Sequence, residues 1–143
     1  MPFHVSADPG NRLVRVTYDG LTSIDHRLRA LAHGEALLRA TGYRRVLVDL
    51  REALSVEEPL DRSNAFATRM AQSEEVRLCR LAYLVPPHQH GNRLIETMAV
   101  ARHLDVERFE QDEQALAWLC FDAAVPAPDT VAAADADADA VVD

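Results

Sequence analysis

The spacing of apolar and polar residues changes along the chain, and each change marks an element. Residues 3–7 and 13–18 are short β-prone stretches, with Leu13, Val14, Val16 and Tyr18 in the second. The turn signal Asp8-Pro9-Gly10-Asn11 separates them, so they predict a hairpin that ends at Asp19-Gly20. A helix is predicted over 24–40, with Ile24, Leu28, Leu31 and Leu38 on one face. Ser23 is placed to cap it, Asp25 suits its first turn, and Thr41-Gly42 stops it. In residues 45–50 the alternation fades and Val46, Leu47, Val48 and Leu50 dominate. A strand apolar on both faces lies between two layers, so this run predicts a central parallel strand.

After a loop over 52–58, Pro59 suits a first helical turn and predicts a helix to about residue 75. Leu60, Phe66, Ala67, Met70 and Ala71 supply its buried side. Residues 79–85 read as a strand closed by Pro86-Pro87, and residues 91–103 as a helix carrying Leu94, Met98, Ala101 and, just beyond it, Leu104. A short strand over 106–109 follows. Asp112 is placed to cap a last helix with Ala115, Leu116, Trp118 and Leu119. The order ββαβαβαβα implies an α/β fold, a mostly parallel five-stranded sheet with about four helices. It occupies residues 1–121. Residues 122–143 alternate Ala and Asp with little to pack and read as a disordered acidic tail.

Charge sharpens that division. The net charge is −8, but six of the 23 acidic residues follow residue 121, with no basic residue among them. The body keeps 17 acids against 15 bases, all of them Arg, which excludes a lysine Schiff base and gives no electrostatic case for nucleic acid. Cys79 and Cys120 have neither disulfide-framework nor metal-ligand spacing. The first residues lack a signal-peptide pattern and no apolar run reaches the length of a membrane span, so the expectation is a soluble cytoplasmic protein.

Two short patterns, Gly42-Tyr43-Arg44-Arg45-Val46-Leu47-Val48-Asp49 and Ala115-Leu116-Ala117-Trp118-Leu119, together with the element order over about residues 3–121, resemble the SpoIIAA-like family. The resemblance implies the STAS-type α/β fold, related to lipid-binding CRAL-TRIO domains. It also implies a non-enzymatic regulatory or binding module without a cofactor, whose partner is a protein or a small amphipathic, lipid-like ligand. Phosphorylated antagonists of that type carry Asp-Ser-Ser-Gly or Asp-Ser-Thr-Gly eight residues after the strand aspartate, where this chain has Glu57. Asp61-Arg62-Ser63-Asn64 is a displaced echo without the glycine, which leaves Ser63 as a weak phosphorylation candidate beside the plainer reading of a surface serine.

Polar residues at the carboxyl end of a central strand face the crevice where ligands bind in open α/β sheets, which nominates Asp49 and Arg51. They can equally pair with each other. His88 and His90 precede the third helix, and Arg93 with the free N–H groups of its first turn suits a carboxylate or phosphate. Phe66 and Met70 make the second helix the expected movable wall. The alternative is a small metal-dependent hydrolase on His88, His90 and Asp49, although the spacing matches no zinc motif. A third reading is an assembly module that forms a homodimer. Gly-x-Ser-x-Gly and glycine-rich phosphate loops are absent. Glu35 falls inside the apolar arc of the first helix; a buried carboxylate there needs a partner such as an arginine, or serves a function, and the favoured alternative is a bend near Gly34 that carries it to the surface.

Overall fold

A computed structural model describes residues 2–56, 58–87 and 93–121. Strand β1 (Phe3–Asp8) pairs antiparallel with β2 (Leu13–Thr22). The turn between them is tied by Asp8, whose carboxylate accepts hydrogen bonds from the Asn11 backbone N–H (3.2 Å) and side-chain amide (2.9 Å). Helix α1 (Ile24–Thr41) carries the chain to β3 (Arg45–Ser55), which lies parallel to β2. Helices α2 (Leu60–Ala71) and α3 (Glu74–Arg77), β4 (Arg80–Leu84), α4 (Arg93–Ala101), β5 (Asp105–Phe109) and α5 (Asp112–Leu119) follow. The sheet order is β1-β2-β3-β4-β5, so β3 is central and only β1 runs against the rest. Among the described residues no helix is long and apolar enough to cross a membrane.

Alternation along the strands divides the core. Val14, Val16 and Tyr18 of β2, Val46, Val48 and Leu50 of β3, and Leu81 and Tyr83 of β4 pack with α1, α2 and α4. Leu13, Leu47, Ala82 and Leu84 point the other way and meet α5 through Ala115 and Leu119. One face thus carries most of the helices and the other carries α5. Buried on both sides, β3 has the doubly apolar character its sequence implies.

Several boundaries move from the sequence expectation. Asp19-Gly20 does not end β2: β3 holds one extra residue between the pairs Thr17–Asp49 and Asp19–Glu52, a bulge. Gly20 takes a φ of 76° there, which a glycine adopts without strain, and both strands continue to Thr22 and Ser55 in place of the expected loop. The expected helix over 59–75 breaks at Gln72, and Ser73 restarts the chain as α3 by accepting the Val76 N–H (3.3 Å). Asp112 is the first residue of α5 rather than its cap, a place where its charge suits the helix dipole.

Helix α1 begins and ends where its sequence says. The Ser23 hydroxyl accepts the His26 N–H (3.2 Å), and the His26 ring accepts the Ser23 N–H in return (3.1 Å). Gly42, at φ 74°, donates to the Leu38 carbonyl. Ser23→Ala is expected to lower unfolding free energy by about 1 kcal/mol in urea titration. No loss would mean that the Glu58 carboxylate, which accepts the Ile24 N–H (2.7 Å), caps the helix sufficiently alone.

The α1 face departs most. Its buried residues are Ile24, Arg27, Ala30, Gly34, Glu35 and Leu38, while Leu28 is exposed. The expected bend at Gly34 is not there: α1 is continuous and Glu35 is only 7% exposed. Arg69 of α2 meets it with nitrogens at 2.7 and 2.9 Å, and that partner keeps the carboxylate in the interior.

Candidate ligand cavity

Between the sheet and helices α1 and α2 lies a cavity of about 50 Å³. Its floor is Val16, Tyr18, Val46, Val48, Leu81 and Tyr83 from the three middle strands. Arg27, Ala30, Gly34, Glu35 and Leu38 of α1 form one wall, and Phe66 and Met70 of α2 another. Helix α2 packs mainly on α4 and α1 and turns Phe66, Ala67 and Met70 inward. Dry apolar cavities of about 150 Å³ admit benzene-sized guests, so this one admits a small head group unless α2 shifts.

Four polar groups line this apolar space. Glu35 is satisfied by Arg69; burial works against its charged form, but the hydrogen bonds of Arg69 and Ser73 and the guanidinium charge hold its pKa below the ordinary value. Arg27 is different. It is 5% exposed, and its guanidinium carbon lies 5.5 Å from the Tyr18 ring centroid and 6.0 Å from that of Phe66. Among the described residues its guanidinium has no carboxylate or other hydrogen-bond acceptor. Cation–π contacts supply about 0.5–2 kcal/mol, against several kcal/mol for burying an ion. Tyrosine hydroxyls complete the set: burial pushes Tyr83 up to about 12 and raises Tyr18 as well, so both remain protonated donors at neutral pH. Among the described residues Tyr83 Oη reaches only the Met70 thioether (3.8 Å), a weak acceptor.

Gly34 belongs to the same wall. A Cβ built there meets nothing within 4 Å, and its φ is not positive. Gly34→Ala is therefore expected to stabilise the protein by about 1 kcal/mol, raising the melting temperature a few degrees. A fall would show that close approach at this point, not tolerance, keeps the glycine.

No family model and no curated protein matches the chain. Among solved structures, an uncharacterized protein of the DUF3478 family with a SpoIIAA-like fold, from Shewanella loihica PV-4, superposes with a TM-score of 0.54. The match covers 82% of this chain and 92% of that one at 16% identity. The chain has the SpoIIAA-like fold. The resemblance drawn from the sequence thus agrees with the solved fold, and at that identity the likeness concerns fold alone.

The described residues singled out by sequence fall in four separate places on this SpoIIAA-like fold. Phe66 and Met70 line the cavity. Asp49 and Arg51 lie across the sheet, on the side of α5, where period two puts the odd residues of this part of β3. There Arg51 binds Asp49 through two side-chain nitrogens (2.8 and 3.0 Å), and its backbone N–H adds a third bond (3.1 Å). Burial opposes the Asp49 charge, yet those bonds win and its pKa is lowered. The pair satisfies itself. Arg93 is exposed at the start of α4, beside a shallow groove to β5 in which Arg108 binds Glu96 (3.1 Å). His88 and His90 lie outside the described residues. Among the described residues no group of three or more His, Cys, Asp or Glu is placed to hold a metal ion. Ser63 is half-buried in the first turn of α2.

Sequence reasoning missed Arg27. The signal was its spacing: Ile24, Arg27, Leu31, Gly34 and Leu38 recur at helical intervals, and only its charge excludes it from an apolar stripe. Cys79 is buried, with its thiol pushed up to about 12, and is an unreactive packing group.

Proposed function

We propose that this protein is a non-enzymatic binding module that holds a small amphipathic molecule between its sheet and the helices α1 and α2. The observation that carries the reading is the cavity itself, apolar in most of its lining yet containing a buried cation without an acceptor among the described residues. Replacing a buried charged group by a hydrocarbon of similar volume is often neutral or stabilising for folding, so its retention here is read as a use. Most small-molecule sites have this make-up, apolar walls with a few placed polar groups. The cavity carboxylate of Glu35 is held by Arg69, and Asp49 across the sheet by Arg51, so neither is a free base.

Native mass spectrometry of the purified full chain, compared with its denatured mass, tests the reading. A ligand mass lost on denaturation supports it. If the protein carries none, and an environment-sensitive alkyl dye neither binds nor raises the melting temperature, the reading fails.

One observation favours a protein partner as a second reading. Leu21 and Leu54, 66% and 55% exposed, are register neighbours on the projecting ends of β2 and β3. Such a pair suits a protein contact, a second copy of this chain included. The same native spectra report it: a dimer that Leu21→Asp with Leu54→Asp disrupts supports this reading, and a monomer at high concentration counts against the homodimer.

A further inference from the structure

Resting on the reading of the cavity as a ligand site, we propose that its ligand is a monocarboxylate with an aliphatic tail, and that Arg27 is the residue that binds the carboxylate. A guanidinium presents five N–H donors in a planar fork, and all of them need acceptors once water is removed. Here Arg27 is 5% exposed as a residue, and its fork rests on the Tyr18 and Phe66 rings with no acceptor among the described residues. The aromatic rings stabilise the charge but accept no conventional hydrogen bond from it. The group best matched to such a fork is a carboxylate, which takes two parallel N–H bonds.

Charge selects among anions. Among the described residues Arg27 is the only cation lining the cavity, and the one carboxylate there, Glu35, already has Arg69. A single-charge head is neutralised by Arg27 alone, whereas a phosphate dianion would bring a second charge into an apolar space with nothing to balance it. The neighbouring hydroxyls fit the same head. Tyr18 Oη has no hydrogen-bond partner among the described residues, and Tyr83 Oη meets only the Met70 sulfur, so both can donate to a bound oxygen. Size sets the rest. About 50 Å³ accommodates the head and little more, so the tail follows the apolar wall and displaces Phe66 and Met70 of α2.

Hexanoate and dodecanoate, each compared with the alcohol of equal chain length and with dodecyl phosphate, test this on the full-length protein. Titration calorimetry and melting temperature are the readouts. The carboxylates are expected to bind at least about tenfold more tightly than the alcohols, the difference a charge-assisted bond supplies. Arg27→Met is expected to abolish that preference, keep alcohol binding, and melt no lower than wild type without ligand. Tyr18→Phe, a milder change, should weaken carboxylate binding several-fold and leave the alcohols unaffected. Equal binding of carboxylate and alcohol by the wild type, or a carboxylate preference that survives Arg27→Met, overturns the role of Arg27 while leaving the cavity as a site, and a preference for the phosphate overturns the monocarboxylate head. Binding of none of the probes overturns the cavity reading itself.

Discussion

Glu35→Ala is expected to lower unfolding free energy by about 2–3 kcal/mol at pH 7. Removing one partner of a buried ion pair costs about 3–5 kcal/mol when the other charge stays dry. Arg69 is not dry: its side chain is 43% exposed and regains water once Glu35 is gone, which brings the figure down. What remains is the lost tie between α1 and α2, two charge-assisted bonds at 2.7 and 2.9 Å, and the space left in the cavity wall. The pH dependence separates charge from packing. The Glu35 pKa is held below its ordinary value in the folded protein, so the unfolded chain binds the proton more readily. Its contribution is complete above about pH 4.3, the unfolded value, and is lost as pH falls through the folded pKa. Urea titrations of wild type and Glu35→Gln between pH 3 and 7, in roughly unit steps, should therefore converge at the acid end. Parallel profiles would mean that the pair adds geometry but no charge-dependent stability.

Glu35 also shows where the sequence stopped being readable. Its position inside the apolar arc was visible from the helical period, but the partner that keeps it there lies 34 residues away on another helix. Without that partner, burial of a carboxylate is unfavourable, so local reasoning sends it to the surface. Arg27 is the same case with rings in place of an ion. Leu28 and Leu31 attracted the helix face because they are apolar, yet Leu28 is exposed and the charged residue before it is buried. The legible parts are those decided by neighbours in sequence. Examples are the Ser23 cap, the Gly42 stop and the doubly buried run of β3 at the centre of the sheet. The break before Ser73 was readable too, since Ser73 followed by Glu74 and Glu75 is a helix-start pattern. The β2–β3 extension was not, because Gly20 is equally suited to end a strand or to let it pass a bulge. For the site, the rule about strand carboxyl ends pointed to Asp49 and Arg51. Period two alone sets Asp49 with Leu47 and opposite Val48, on the side away from the larger set of helices.

Phe66→Ala is expected to have the largest effect on stability, a loss of about 3–4 kcal/mol in urea titration. Phe66 is 4% exposed, and its ring is both a wall of the cavity and one of the two faces under the Arg27 guanidinium. Truncation therefore removes transfer energy, leaves a void continuous with an existing one, and takes away a cation–π contact of about 0.5–2 kcal/mol. Two responses are distinguishable. If α2 keeps its place on α4 and α1, the enlarged cavity stays open, and neutral hexanol binds the variant more tightly than the wild type because no wall has to move. If α2 settles inward, the loss shrinks towards about 2 kcal/mol, as sites that collapse lose less. Hexanol then gains nothing. The packing of α2 against both α4 and α1 favours the first outcome, since the helix is held by two neighbours besides the cavity contacts of Phe66 and Met70. An open variant would make the void available to an alkyl tail, so the resistance of Phe66 to displacement would then be the term that limits how tightly the wild-type cavity holds a long-chain ligand.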